Sequence, residues 1–214
     1  MSDSLSYARA VLSTRAPGRA RPMAPEDRRA AIIAATVPLL AEHGLKVTSR
    51  QIAEAAGVAE GTIFRAFRDK DELIQAAIEA VFDPLPALAE IGSIDFDAPL
   101  RDRLVAIAGI LQRRIQLVSN LMLALRVGLR PDEVDERRRC AKSSSATILG
   151  RVATLLGPDA DQFRCPIPEV VRLLSILTFS GSHPMITDGN PLTPEDITDL
   201  LLDGVRTRTG THTC

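Results

Sequence analysis

The sequence predicts an all-α fold, and three features point to it. Ala and Leu, at the top of the helix scale, recur throughout, while aromatic residues make up only 3% and tryptophan is absent. Apolar residues return every three or four positions, and no stretch alternates with period two for long enough to make a strand. Prolines 84, 86, 99, 131, 158, 166, 184, 191 and 194 punctuate the periodic stretches. With 45% hydrophobic residues in 214, a sizeable core can form and global disorder is excluded.

The elements follow in order. Residues 1–24 have no apolar periodicity and hold Arg9, Arg15, Arg19 and Arg21 beside Pro17, Gly18 and Pro22. They are expected to be a disordered basic arm, with a solvated tail of no role as the alternative. A helix starts at Pro25, with Glu26 and Asp27 in its first turn where acids suit the dipole. Ile33, Val37, Leu40 and Ala41 continue it to Gly44, and Pro38 should kink it by removing one backbone bond. Thr48-Ser49-Arg50-Gln51 is a capping box that opens a short helix through Ala55. Gly57 breaks that helix, and a second short one spans 59–67. Asp69, with Glu72 three residues on, caps the next. Further helices are expected near 70–83, 98–118, 120–129, 132–156, 166–181 and 194–208, with 209–214 as a tail. There is no internal repeat.

Composition also narrows function. No stretch approaches the roughly 20 apolar residues of a membrane span, and the start lacks the pattern of a secretory signal, so a cytoplasmic protein with no membrane partner is expected. Cys140, Cys165 and Cys214 lack metal-ligand spacing and read as free thiols. His43, His183 and His212 are dispersed, so neither a catalytic set nor a metal site is expected, and no cofactor is implied. The net charge of −1 is unevenly placed: residues 1–70 hold 11 Lys/Arg against 7 Asp/Glu, and 71–214 hold 15 against 20. A basic front and an acidic back suit a protein that presents one end to phosphates.

Two short helices joined by a tight glycine turn form a helix-turn-helix pattern, in which Ala53 and Gly57 permit close approach and Val58 and Ile63 plug the core. The run from Ile52 to Phe67 (Ile-Ala-Glu-Ala-Ala-Gly-Val-Ala-Glu-Gly-Thr-Ile-Phe-Arg-Ala-Phe), followed by Asp69-Lys70-Asp71-Glu72-Leu73, resembles the DNA-binding domain of the TetR family over about residues 25–75. The resemblance implies a homodimeric transcriptional regulator, a repressor, that binds a pseudo-palindromic operator on double-stranded DNA and is released by a small-molecule effector of unknown identity. A helical DNA- or partner-binding module with no effector is the alternative. Carried over position by position, it places Thr48 and Arg50 at the second helix's cap and at phosphate or groove edges. Glu60, Gly61, Thr62, Phe64 and Arg65 fall in the recognition helix, and Lys70 starts the fourth helix near phosphate. Arg65 can read guanine. Glu60 can accept from cytosine or simply compensate the helix dipole. The chain departs from the family's pattern at Phe64 (usually Tyr), Ala66 (often His) and Ala59 (usually a Ser or Thr cap).

The resemblance also implies that residues 76–208 hold an effector cavity and the dimer contact. Leu104, Ile107, Leu111, Ile115 and Val118 mark one apolar face, and Leu121, Met122, Leu125 and Leu129 another, most of them core. Leu111, Ile115, Val118, Met122, Arg126 and His183 are the candidate ligand residues, with Arg114 and Asn120 as further polar positions to watch. The effector is expected to be mainly apolar, uncharged or weakly anionic. Val171, Leu174, Leu177, Thr178 and Gly181, with Ile197, Leu200, Leu201 and Val205, fit the helix pair that forms the family's dimer bundle. Leu177 and Leu201 are expected in its seam.

Overall fold

The computed structural model describes residues 24–125 and 131–205. The expected arm (Ala24 apart), Arg126, Leu129 and the 209–214 tail lie outside the described residues. The chain is all-α: Phe163 alone occupies an isolated bridge position, and no strand forms among the described residues. None of the described helices is long and apolar enough to cross a membrane.

The N-terminal unit is built from α1 (Pro25–His43), α2 (Ser49–Ala55), α3 (Glu60–Ala66) and α4 (Lys70–Phe82). Helix α1 runs through Pro38, which has no N–H to offer the Ala34 carbonyl, because Ile32, Thr36 and Leu40 stay buried along one face. Gly44 ends it at φ +58°, and a Cβ there would stand 2.9 Å from the Ala124 carbonyl oxygen. Glycine is therefore required twice over, for the left-handed turn and for the close approach of the next long helix. Ile32, Leu40, Ile52, Ile63, Phe67, Leu73, Ile78 and Val81 form the core of this unit, which extends through Phe82, beyond the boundary expected at 75.

The body comprises α5 (Leu85–Gly92), α6 (Leu100–Leu125), α7 (Pro131–Leu156), α8 (Ile167–Ser182), the single turn α9 (Pro184–Thr187) and α10 (Pro194–Val205). Two expectations are corrected here. No helix was expected between 83 and 98, yet α5 forms there: Pro86 is tolerated in its first turn, and Asp83 Oδ1 accepts from Leu85 N at 2.9 Å. The helices expected at 98–118 and near 120 are one helix, α6. Ser119 and Asn120 are weak helix formers that local propensity alone would use as a break, but packing overrides it. Leu104, Ile107 and Leu111 of α6 lie in the body core, whereas Leu121 and Leu125 complete the N-terminal core. One helix thus ties the two cores together.

The body core holds a buried ion pair. Arg103 Nη2 donates to both carboxylate oxygens of Asp159, at 2.8 and 2.9 Å, while its Nε donates to Ala98 O at 3.0 Å. Helices α8 and α10 close the body, and Thr193 and Asp196 form a capping box at the start of α10. A third correction concerns their faces. Val171, Leu174, Thr178, Ile197, Leu201 and Val205 are buried within this chain, and Leu177 packs partly buried against the same core. The apolar side chains left exposed on α8 and α10 are Ile176, Phe179 and Leu200.

Candidate nucleic-acid interface and body cavity

Local chemistry shapes the α2–α3 unit. Thr48 Oγ1 accepts from Gln51 N at 3.2 Å, and Thr48 N donates to Gln51 Oε1 at 2.8 Å, completing the capping box. At the other end Val58 N donates to Ala53 O and Gly57 N to Glu54 O, at 3.0 and 3.2 Å, with Gly57 at φ +64°. This pairing is a Schellman turn, and its left-handed position suits glycine. Ala59 precedes α3 with no side-chain cap.

Helix α3 is held by Ile63, fully buried, and by Phe67 just beyond its end. Glu60, Gly61, Phe64 and Arg65 are exposed on its outer side, and Thr62 is half-buried. A Cβ at Gly61 would meet nothing within 4 Å, so no neighbour in the chain demands glycine there. Phe64 is 50% exposed, a ring standing off the core and not filling it. Arg50 is exposed at the start of α2. Lys70 starts α4, and its Nζ donates to Leu45 O at 3.1 Å, tying α4 to the turn after α1. An ammonium has three donors, so two are left for another acceptor.

Sequence reasoning missed Arg29. Its guanidinium lies 4.0 Å over the Phe67 ring, donates from Nη1 to Ala66 O at 2.5 Å, and pairs through Nη2 with Glu72 Oε1 at 2.9 Å. A cation at the last carbonyl of α3 also suits the helix dipole. Glu72 Oε2 accepts from Arg68 N at 2.8 Å. That backbone bond, then the bond from Arg29, lowers the Glu72 pKa from its ordinary value. Arg29 thereby clamps the orientation of α3 from α1. No spacing reveals this, because its partners are 37 and 43 residues away.

A cavity of about 430 Å3 lies between α6, α7 and α8. Leu111, Ile115 and Val118 line it as expected residues do, and so does Arg114. Met122 and His183 are not among the lining residues: Met122 packs against the N-terminal core, and the His183 ring sits against Phe179 with centroids 5.1 Å apart. Asn120 faces a separate open depression of about 850 Å3 beside the end of α1. Lys142, Ser145, Ser175 and Phe179 also line the cavity. The sequence reading passed over them because polar residues on α7 and α8 resemble an ordinary solvated face.

Arg114 is half-buried. It donates from Nη1 to Asp83 O at 2.9 Å and from Nη2 to Phe82 O at 3.1 Å, and also meets Ser144 Oγ. Burial lowers its pKa, offset in part by the nearby Asp83 charge. A wall of the cavity thus grips the C-terminal end of α4.

Residues 32–77 match the family of bacterial regulatory proteins described as the tetR family. Solved structures share the fold over most of the chain. A TetR transcriptional regulator from Streptomyces coelicolor is 24% identical, with TM-score 0.54, covering 85% of this chain and 99% of that one. A transcriptional regulator from Rhodococcus sp. Rha1 is 21% identical at TM-score 0.56, covering 87% and 100%. A regulator from Saccharomonospora viridis in complex with choline is 20% identical at TM-score 0.57, covering 86% and 100%.

Proposed function

We propose that this chain, whose residues 32–77 match the tetR family of bacterial regulatory proteins, is a DNA-binding regulator of transcription, a homodimeric repressor released from its operator by a small molecule in the body cavity. The observation that carries the reading is the outer side of α3, where Glu60, Gly61, Phe64 and Arg65 stand exposed while Ile63 and Phe67 hold the helix from behind. A short helix docked in this way enters the major groove, where Arg65 can pair with guanine. Thr48, Arg50, Thr62 and Lys70 flank it as phosphate or groove-edge contacts. Exposed Ile176, Phe179 and Leu200 support a second copy on α8 and α10. Two recognition helices related by a dyad require a pseudo-palindrome. A regulator of this kind works on DNA in the cytoplasm, and no catalytic step is assigned to it.

Choline, bound by the Saccharomonospora viridis protein, is a poor candidate for this chain. A quaternary ammonium calls for an aromatic cage or carboxylates, whereas the cavity offers Arg114, Lys142 and one ring, Phe179.

Selecting bound duplexes from randomised DNA tests the reading. An inverted repeat with half-sites about 34–36 Å apart is expected, with affinity that falls steeply with salt. A chain lacking residues 1–24 should show a flatter salt slope if the arm's arginines meet phosphate. No enrichment of any sequence overturns the reading.

Phe64→Tyr adds a hydroxyl to an exposed ring on the DNA-facing side. It should tighten binding by about 0.5–1.5 kcal/mol, the net worth of one hydrogen bond. The gain should be equal on operator and scrambled duplex, because phosphate contacts carry no sequence information. An unchanged affinity, or a gain on the operator alone, overturns the assignment of this position to phosphate.

A further inference from the structure

Taking the α6–α7–α8 cavity as the effector site, we propose that it binds an apolar monoanion, a carboxylate on a hydrocarbon body, whose charged end engages Arg114 and loosens that residue's grip on α4. Among the described residues the lining carries two cations, Arg114 and Lys142, and no acidic residue, within apolar walls that include Leu111, Ile148 and Phe179. Serines 119, 145, 175 and 180 add hydroxyl donors suited to carboxylate oxygens. Among the described residues the acceptors that Arg114 meets are two carbonyls and a hydroxyl, with no carboxylate bonded to it. A half-buried guanidinium held by neutral acceptors gains from an anion, since charge-assisted bonds are the stronger kind. A neutral ligand gives that charge no partner within the cavity, and a cation meets like charge.

The same contacts supply the coupling. Phe82 ends α4 and Asp83 follows it, so an anion that draws the guanidinium toward the cavity competes with the bonds that hold this end. The other end of α4 is tied by Lys70 to Leu45, in the turn after α1, and by Glu72 to Arg29, which also holds Ala66 of α3. Movement of α4 therefore reaches α3. A ligand that favours the loosened state must, by linkage, bind less well when operator is bound.

Calorimetry on the full chain with decanoate, decanamide and decyltrimethylammonium below their aggregation concentrations tests the ligand class. Decanoate should bind about tenfold or more tighter than decanamide, as expected of hydrogen bonds to a charged group, and the ammonium should not bind. Arg114→Gln should bind acid and amide equally. Lys142→Gln, at an exposed position, should weaken decanoate alone by several-fold. Equal affinities in the wild type, preference for the ammonium, or no binding by any of the three overturns the ligand class. Decanoate should weaken binding to the selected operator in the wild type and not in Arg114→Gln. Binding of decanoate with operator affinity unchanged overturns the coupling. Should Arg114→Gln not fold, the acid–amide comparison on the wild type and on Lys142→Gln still decides the ligand class. If no duplex is selected at all, the DNA-binding reading fails while calorimetry still judges the cavity.

Discussion

Asp159→Ala is expected to lower stability by about 3–5 kcal/mol, the cost of leaving a buried charge without its partner. Arg103 is 6% exposed and uses both carboxylate oxygens of Asp159, so the truncation strands its Nη2 in the body core. The bonds to Ala98 O and Leu155 O remain, but neither carries charge. Gln162 also loses its acceptor, Asp159 Oδ1. Denaturant unfolding at fixed protomer concentration measures the loss, and the melting temperature should fall by on the order of 10 °C. Replacing both partners together (Arg103→Leu with Asp159→Leu) should recover much of it, because apolar side chains of similar volume often substitute for a buried pair at little cost. A midpoint unchanged in Asp159→Ala would mean that water reaches Arg103, contrary to its burial.

Leu200→Arg is expected to give folded monomers whose operator affinity is lower by about 100-fold or more, since a dimer's second half-site acts at high effective concentration. Leu200 is 54% exposed on α10, and Ile176 and Phe179, each 46% exposed, lie on neighbouring α8. On α8 the exposed positions 172, 176 and 179 follow one another at helical spacing. An arginine at 200 would put an unpaired charge into the contact between copies without touching the core of either. Leu201→Arg should behave differently: that side chain is 1% exposed inside its own body, so the variant should lose folding instead of association. Sedimentation with thermal melting separates the two outcomes. A wild-type monomer at micromolar concentration, or a Leu200→Arg chain that stays dimeric, overturns this assignment of the dimer face.

The contrast between neighbouring leucines shows where sequence reasoning stops. Periodicity identifies an apolar helix side, and α8 and α10 have apolar residues on more than one. Which of them meets the chain's own core depends on how α10 lies against α6 and α8. The reading that placed Leu177 and Leu201 in the seam had no information on that angle. The same limit split α6 in two at Ser119-Asn120, since the gain that carries the helix onward comes from burying Leu121 and Leu125 in the distant N-terminal unit.

The legible part of the chain is chemistry that acts within a turn or two. The Thr48–Gln51 capping box spans three residues, the Asp69 cap on Glu72 spans three, and the Gly57 turn closes between Ala53 and Val58. These bonds join residues a few positions apart, so the helix-turn-helix was legible from its letters. The remaining contacts are set by packing. Arg29 reaches Ala66 and Glu72, Arg114 reaches Phe82 and Asp83, and Arg103 reaches Asp159, across separations of 31 to 56 residues. An arginine on a helix carries no mark of which distant carbonyl or carboxylate it will meet. That is set when the helices pack, because burial of their apolar faces brings the charged groups within reach and then obliges each to find a partner.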